Sequence, residues 1–158
     1  QSARLFPSMT VRQILLTATM LRESGAAARA LADQVLEEVG LAEQGDRRPN
    51  ELSLPQRQMV ELGKCVALQP KMIMLDEIMG GLNRVECGLP IAAIERLRDR
   101  GMTFLLVEHV MPIVMSLADQ IVVLDFGRRI ATGTPSEIVE NKAVQESYLG
   151  GVDDSLEA

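Results

Sequence analysis

Two short apolar runs do most to limit what this chain can fold into. Met72-Ile73-Met74-Leu75 and residues 103 to 107 are the length of strands and read as strands buried on both faces. A helical stretch, residues 90 to 100, lies between them and is ended by Gly101. Strand, helix, strand at that spacing calls for two parallel neighbours joined by a crossover. Residues 121 to 124 and 129 to 132 add two strands around a turn at Phe126-Gly127. Short helices are expected at residues 112 to 117, 135 to 140 and 144 to 149. The expected class is α/β, with a mainly parallel sheet and helices.

Residues 8 to 44 are expected to be helical throughout, with Leu31, Val35 and Val39 recurring at i+4 among Asp33, Glu37 and Glu38. The run Ile14-Leu15-Leu16 is more apolar than one face of a short helix needs, so part of it is expected to face a partner. Residues 45 to 52 form a polar connection with Gly45, Pro49 and Asn50. Ser53-Leu54-Pro55-Gln56 then has capping-box form, with Pro55 in the first turn, and Met59, Leu62, Gly63 and Val66 line one face of the helix it opens. Gly88 and Pro90 argue against a helix start before residue 90. The domain organisation expected is a small helical subdomain at 1–52, an α/β part at 53–150 and a loose acidic tail at 151–158.

Composition excludes some classes of function. A net charge of -6 and a pI near 4.9 argue against a nucleic-acid surface, which needs clustered Lys and Arg. The short basic clusters, Arg47-Arg48 and Arg96 to Arg100, read as solvated surface charge. Cys65 and Cys87 have no metal spacing and are expected as free thiols. No apolar run is long enough to span a bilayer, and the opening Gln1 followed by Arg4-Leu5-Phe6-Pro7 reads as mid-protein sequence.

The chemistry gathers at the strand ends. Asp76 and Glu77 directly follow the first strand, and His109, the sole histidine, closes the second. In a parallel pair both ends lie at the carboxyl edge, where α/β sheets bind ligands. One carboxylate there can hold hydrated Mg²⁺, a second can orient a water, and a histidine can donate to a phosphate oxygen. A chance acidic strand end, as in a receiver-type domain, is the plain alternative. It has no account of the Ser53 helix or of His109.

Taken together, the Ser53 helix, the Asp76-Glu77 strand end, Gly80-Gly81-Leu82-Asn83 and His109 resemble the signature helix, Walker B strand, D-loop and switch histidine of ATP-binding-cassette ATPases. The resemblance extends over almost the whole chain. Residues 4 to 11 look like the segment after the Q-loop glutamine, with Gln1 in that glutamine's place. Val122-Val123-Leu124-Asp125, Gly127 and Gly133-Thr134-Pro135-Ser136-Glu137-Ile138 follow the family's C-terminal pattern, and residues 144 to 150 look like its branched-chain amino acid importer branch. The resemblance implies a P-loop NTPase-like fold, ATP and Mg²⁺ as cofactors, and ATP hydrolysis coupled to transport. It implies Glu77 and His109 as catalytic residues. Asp76 would hold Mg²⁺ through water, and Gln1 would sense metal and water. Ser53 and Gln56 would act at nucleotide on an opposite subunit, with Asn83 at the D-loop position. The implied partners are a second ATP-binding subunit and membrane permease subunits docked on the helical subdomain. The implied place is peripheral, at the cytoplasmic face of the inner membrane.

The chain departs from the family pattern at Leu54 and Pro55, where two glycines are usual, and at Ile78 and Arg84, where proline is common. No G-x-x-x-x-G-K-[ST] occurs in the 158 residues; Gly63-Lys64 is followed by Cys65 and lies within a helix. Two readings therefore stand beside an importer ATPase subunit: a non-catalytic module that kept the fold, and a non-transport cassette ATPase. A P-loop's backbone N–H groups and lysine supply most phosphate contacts. This chain by itself is accordingly expected to bind ATP-Mg weakly, and low-micromolar affinity by calorimetry would contradict that.

Overall fold

The structure is a computed structural model in which residues 5–149 are described. The chain divides into two compact units, residues 1–108 and 109–158. The first contains α1 (Val11–Thr19), α2 (Gly25–Glu38), α3 (Leu54–Ala67), β1 (Met72–Asp76), α4 (Gly88–Asp99) and β2 (Thr103–Val107). The second contains α5 (Met111–Leu117), β3 (Ile121–Asp125), β4 (Arg128–Gly133), α6 (Pro135–Glu140) and α7 (Lys142–Leu149).

Residues 8 to 44, expected to be helical throughout, form two α-helices and a short 3₁₀ turn with non-helical links between them. Thr10 opens α1 with a capping box: its Oγ accepts the Gln13 N–H at 3.2 Å, and Gln13 Oε1 accepts the Thr10 N–H at 2.9 Å. The chain leaves α1 after Thr19 and re-enters a helix at Gly25. Thr19 is fully buried, and its hydroxyl lies 3.0 Å from Leu16 O and 2.9 Å from Ala28 O, which ties the end of α1 to α2. The helical period runs through both segments, so the pattern alone does not reveal the break. α2 ends at a left-handed glycine. Gly40 has φ +74°, its N–H donates to Glu37 O at 3.1 Å, and the Leu41 N–H donates to Leu36 O at 2.7 Å. These are the two bonds that finish a helix at a left-handed residue.

Arg96 and Arg100 are not the solvated charge expected of them. From α4, Arg96 Nε donates to the Glu38 carbonyl at 3.1 Å, satisfying an orphan acceptor at the negative end of α2. Arg100 pairs with the Glu38 carboxylate, which also accepts from Gln34 Nε2 at 2.7 Å. Glu38, expected to be an outward polar position, is buried.

The core of the helical lobe is built from Ile14, Leu15, Val35, Leu36, Met59, Val60 and Leu62, all 2% exposed or less. Ile14 and Leu15 therefore fill this core and do not face a partner. Phe6, Met20 and Leu21 are exposed apolar side chains of the lobe, the latter two in the turn between α1 and α2. Gly63 permits the close approach of α3, since a Cβ there would stand 2.9 Å from Leu15 Cδ2 and 3.3 Å from Val35 Cγ1.

β1 and β2 pair in parallel, from Met72 opposite Thr103 to Asp76 opposite Val107. They are not buried on both faces. Ile73 and Leu75 are covered, while Met72, Met74, Leu105 and Val107 are 46–68% exposed, because the described residues cover one face only. α4 starts at Gly88, earlier than expected. Pro90 falls in its first turn, where a missing N–H forfeits no helical bond. A turn capped by Asn83 precedes it: Asn83 Oδ1 accepts from Val85 and Glu86 N–H, and Glu86 Oε2 accepts the Asn83 N–H at 2.9 Å.

In the second unit the strands are antiparallel, a hairpin with a register shift at Val123/Leu124. Ile121, Ala131, Ile138 and Val144 form its core, with Met111, Val114 and Met115 packed on them. The Thr134 N–H and hydroxyl both bond Glu137 Oε2 at the start of α6, which holds the Glu137 carboxyl below the usual carboxylate range. The acidic tail expected at 151–158 lies outside the described residues.

Two measurements test this packing. The hairpin turn has φ +41° at Phe126 and +76° at Gly127, a type I′ conformation that suits Asn-Gly. Phe126 is fully exposed, so Phe126→Asn removes backbone strain without losing burial. It should raise stability by about 0.5–1 kcal/mol in denaturant unfolding. Gly63→Val should lower it by about 1–3 kcal/mol, because its methyl groups must displace fully buried Leu15.

Candidate functional site

The parallel register of β1 and β2 fixes where the ionisable side chains emerge. Asp76 is the last residue of β1, opposite Val107, and it is exposed at the carboxyl edge. The ladder continues one step, since the Glu77 N–H donates to Val107 O at 2.9 Å. Glu77 then turns the chain through φ +48°. For a residue with a Cβ that conformation costs about 1–2 kcal/mol, so it persists only where its surroundings hold it. The Gly80 N–H returns to Glu77 O at 2.9 Å and closes the turn. The result is two adjacent carboxylates at one strand end, both exposed, the second on a backbone with no freedom to straighten.

Ser53 caps α3, and its N–H donates to Gln56 Oε1 at 3.0 Å. The Gln56 oxygen is thus engaged in the cap, as the sequence pattern predicts. α3 reaches the loop after Glu77: Gln58 Nε2 approaches Gly80 O at 3.4 Å, and a Cβ on Gly81 would lie 3.7 Å from Leu54 Cδ2. The structure therefore brings together, within the first unit, the Ser53 helix, the Asp76-Glu77 strand end and the Gly80-Gly81 loop. Asn83 follows that loop, with its side-chain oxygen occupied in capping. His109 follows β2 by one intervening residue and is the first residue of the second unit. Gln1 lies outside the described residues.

Among the described residues no three His, Cys, Asp or Glu side chains gather to hold a metal ion. Mg²⁺ bound with nucleotide does not need such a cage, because one or two carboxylates, water and phosphate oxygens complete its octahedron. Asp76, exposed and in no salt bridge among the described residues, fits that role.

Two residues at the site are not legible as such in the sequence. Gln58 reads as one more polar position of a helix. Glu108 stands beside His109, and its carboxylate accepts the Met79 N–H at 3.0 Å from 29 positions away. Its place next to the histidine was visible; its partner was not.

Comparison with known proteins agrees with this geometry. Residues 1–80 match the ABC transporter family model, and residues 128–154 match that of the branched-chain amino acid ATP-binding cassette transporter. The chain is 36% identical to the high-affinity branched-chain amino acid transport ATP-binding protein BraF of Pseudomonas aeruginosa, over 95% of this chain and 66% of that protein. It is 34% identical to LivG of Escherichia coli K12, with the same coverage. Identity is also 34% to the arginine transport ATP-binding protein ArgV of Corynebacterium glutamicum, over 93% of this chain and 59% of that protein. Among solved structures, MJ1267, an ATP-binding cassette of an ABC transporter, superposes with a TM-score of 0.80 at 28% identity, covering 94% of this chain and 66% of its own. The chain thus spans just under two thirds of the length of the relatives it matches most fully. With half its length matched by the family model and the strand-end carboxylates where that fold binds its ligand, the chain belongs to the ABC transporter ATP-binding family.

Proposed function

We propose that this chain is the C-terminal part of the ATP-binding subunit of an importer, coupling ATP binding and hydrolysis to uptake of branched-chain amino acids or similar small solutes. The observation that carries the reading is the Asp76-Glu77 pair, held at the carboxyl end of β1 by the register with β2. The similarity to BraF and LivG supports the solute class.

Phosphoryl transfer asks a protein for positioning and charge neutralisation more than for covalent chemistry. Mg²⁺, when bound with ATP, neutralises charge on the phosphate oxygens. Asp76 would hold it, and Gln1 would sense metal and attacking water. The Glu77 carboxylate accepts a hydrogen bond from the attacking water, orients it and takes up its proton. His109 donates a hydrogen bond to the γ-phosphate. Ser53 and Gln56, at the positive end of α3, serve nucleotide bound on a second ATP-binding subunit, with Asn83 at the same junction. The helical subdomain, residues 1–52, docks a membrane permease subunit. Exposed Met20 and Leu21 are its apolar contact, in place of the Ile14-Leu15 run that its own core consumes. No described helix is long and apolar enough to cross a membrane, which is compatible with a peripheral place on the cytoplasmic face of the inner membrane.

Glu77→Gln in the complete subunit should cut ATP turnover by about 10²-fold or more while leaving ATP affinity within about twofold, since the amide keeps the shape but takes no proton. Near-normal turnover in a steady-state phosphate-release assay would remove Glu77 from the mechanism.

A further inference from the structure

The loop after β1 is held from β2 at two points. The Glu77 N–H is bonded by Val107 O at 2.9 Å, and the Met79 N–H by Glu108 Oε1 at 3.0 Å. Successive residues of the β2 end thus grip alternate residues of the loop. The second grip answers a specific need. The turn closed by the Gly80 N–H on Glu77 O uses neither the Ile78 nor the Met79 N–H, and it is the Met79 N–H that Glu108 takes up. Met79 is 3% exposed, so water is a poor substitute, and a buried unmade donor is costly. A carboxylate acceptor makes the stronger, charge-assisted bond.

The local environment is not one that Glu108 occupies for packing alone. Its other oxygen, Oε2, is buried and has no hydrogen-bond partner among the described residues. The neighbouring Cys87 thiol is pushed up by burial and, after that, by the Glu108 and Glu86 carboxylates. A neutral side chain would relieve both conditions, so the reach to Met79 is the feature that a glutamate supplies here.

We propose that Glu108 is a positioning residue for Glu77. By fixing the Met79 N–H, it keeps the turn closed and holds Glu77 in its left-handed conformation, so that the Glu77 carboxylate stays aimed from the strand end. Without that anchor the loop loses one of its two bonds from the end of β2, and φ at Glu77 relaxes toward an unstrained value. The inference rests on the ATPase reading above and adds to it a residue that acts through the Glu77 backbone.

Steady-state hydrolysis by the complete subunit, with Glu108→Gln and Glu108→Asp compared, tests it. Glutamine keeps an oxygen at the right reach for Met79; aspartate keeps the charge but withdraws the oxygen by about 1.5 Å. Glu108→Asp should lose about 10–100-fold in kcat with KM for ATP within about twofold, and Glu108→Gln should retain at least about half of wild-type kcat. A general structural role would lower stability and raise KM for ATP together with the loss of kcat, so an unchanged KM and an unchanged unfolding midpoint in Glu108→Asp are the readouts that a positioning role requires. If glutamine is as impaired as aspartate, or aspartate turns over like wild type, the proposal is overturned. Glu77→Gln in the same series separates the two levels. If it still hydrolyses ATP, the ATPase assignment of Glu77 fails and the Glu108 proposal with it. If it is inactive while Glu108→Asp is unaffected, only the Glu108 proposal fails.

Discussion

Everything at the candidate site depends on one register, the parallel pairing that sets Asp76 opposite Val107. A strand has a side-chain period of two, so a slip of one residue would turn every alternate side chain to the other face. It would bury Met74 in place of Leu75 and break the bond from the Glu77 N–H to Val107 O. The acidic pair would then leave the strand in a different direction. The register is held by burial of Ile73 and Leu75 on one face and continues into the loop through bonds made by the ends of both strands.

The helical lobe is joined to this strand pair by more than chain connectivity. α4, which lies between β1 and β2 in the chain, sends Arg96 to the Glu38 carbonyl at the end of α2 and Arg100 to the buried Glu38 carboxylate. α3 begins beside the Gly80-Gly81 loop, and its Gly63 is packed under Leu15 of α1 and Val35 of α2. Movement of the lobe therefore pulls on the helix that Ser53 opens and on the crossover helix between the two strands. The Arg100–Glu38 pair adds modest energy, since Arg100 is half exposed, but it removes an otherwise unpaired charge from a buried position. The lobe is thereby attached to the strand pair through both α3 and α4.

Where local chemistry decides the conformation, sequence and structure agree. The capping box at Ser53-Gln56 and the parallel pair β1–β2 are set by residues at fixed offsets or by short apolar runs. Where the outcome depends on which other segment lies nearby, the pattern misleads. The break after Thr19 is made by a hydroxyl bonded to a carbonyl nine residues on, in a stretch whose helical period never falters. Arg96 and Arg100 look like solvated charge until Glu38 is found beside them, 58 and 62 positions away. Pro90 looks like a barrier to a helix start until it is found in the first turn of α4, where its missing N–H forfeits no helical bond.

By itself, the sequence determined the α/β class, the strand-end carboxylates Asp76 and Glu77, and the family, because strand length, ligand chemistry and motif order are written in neighbouring residues. Only the tertiary structure decided that Glu77 stands in a left-handed turn, that Ile14 and Leu15 belong to the lobe's own core, and that Glu108 reaches back to Met79. The last two are contacts between residues far apart in the chain, and the first is held in part by one, the Glu77 N–H on Val107 O. Nothing local records such a contact, since the energy that fixes it comes from burial and from hydrogen bonds that exist only once the segments have met.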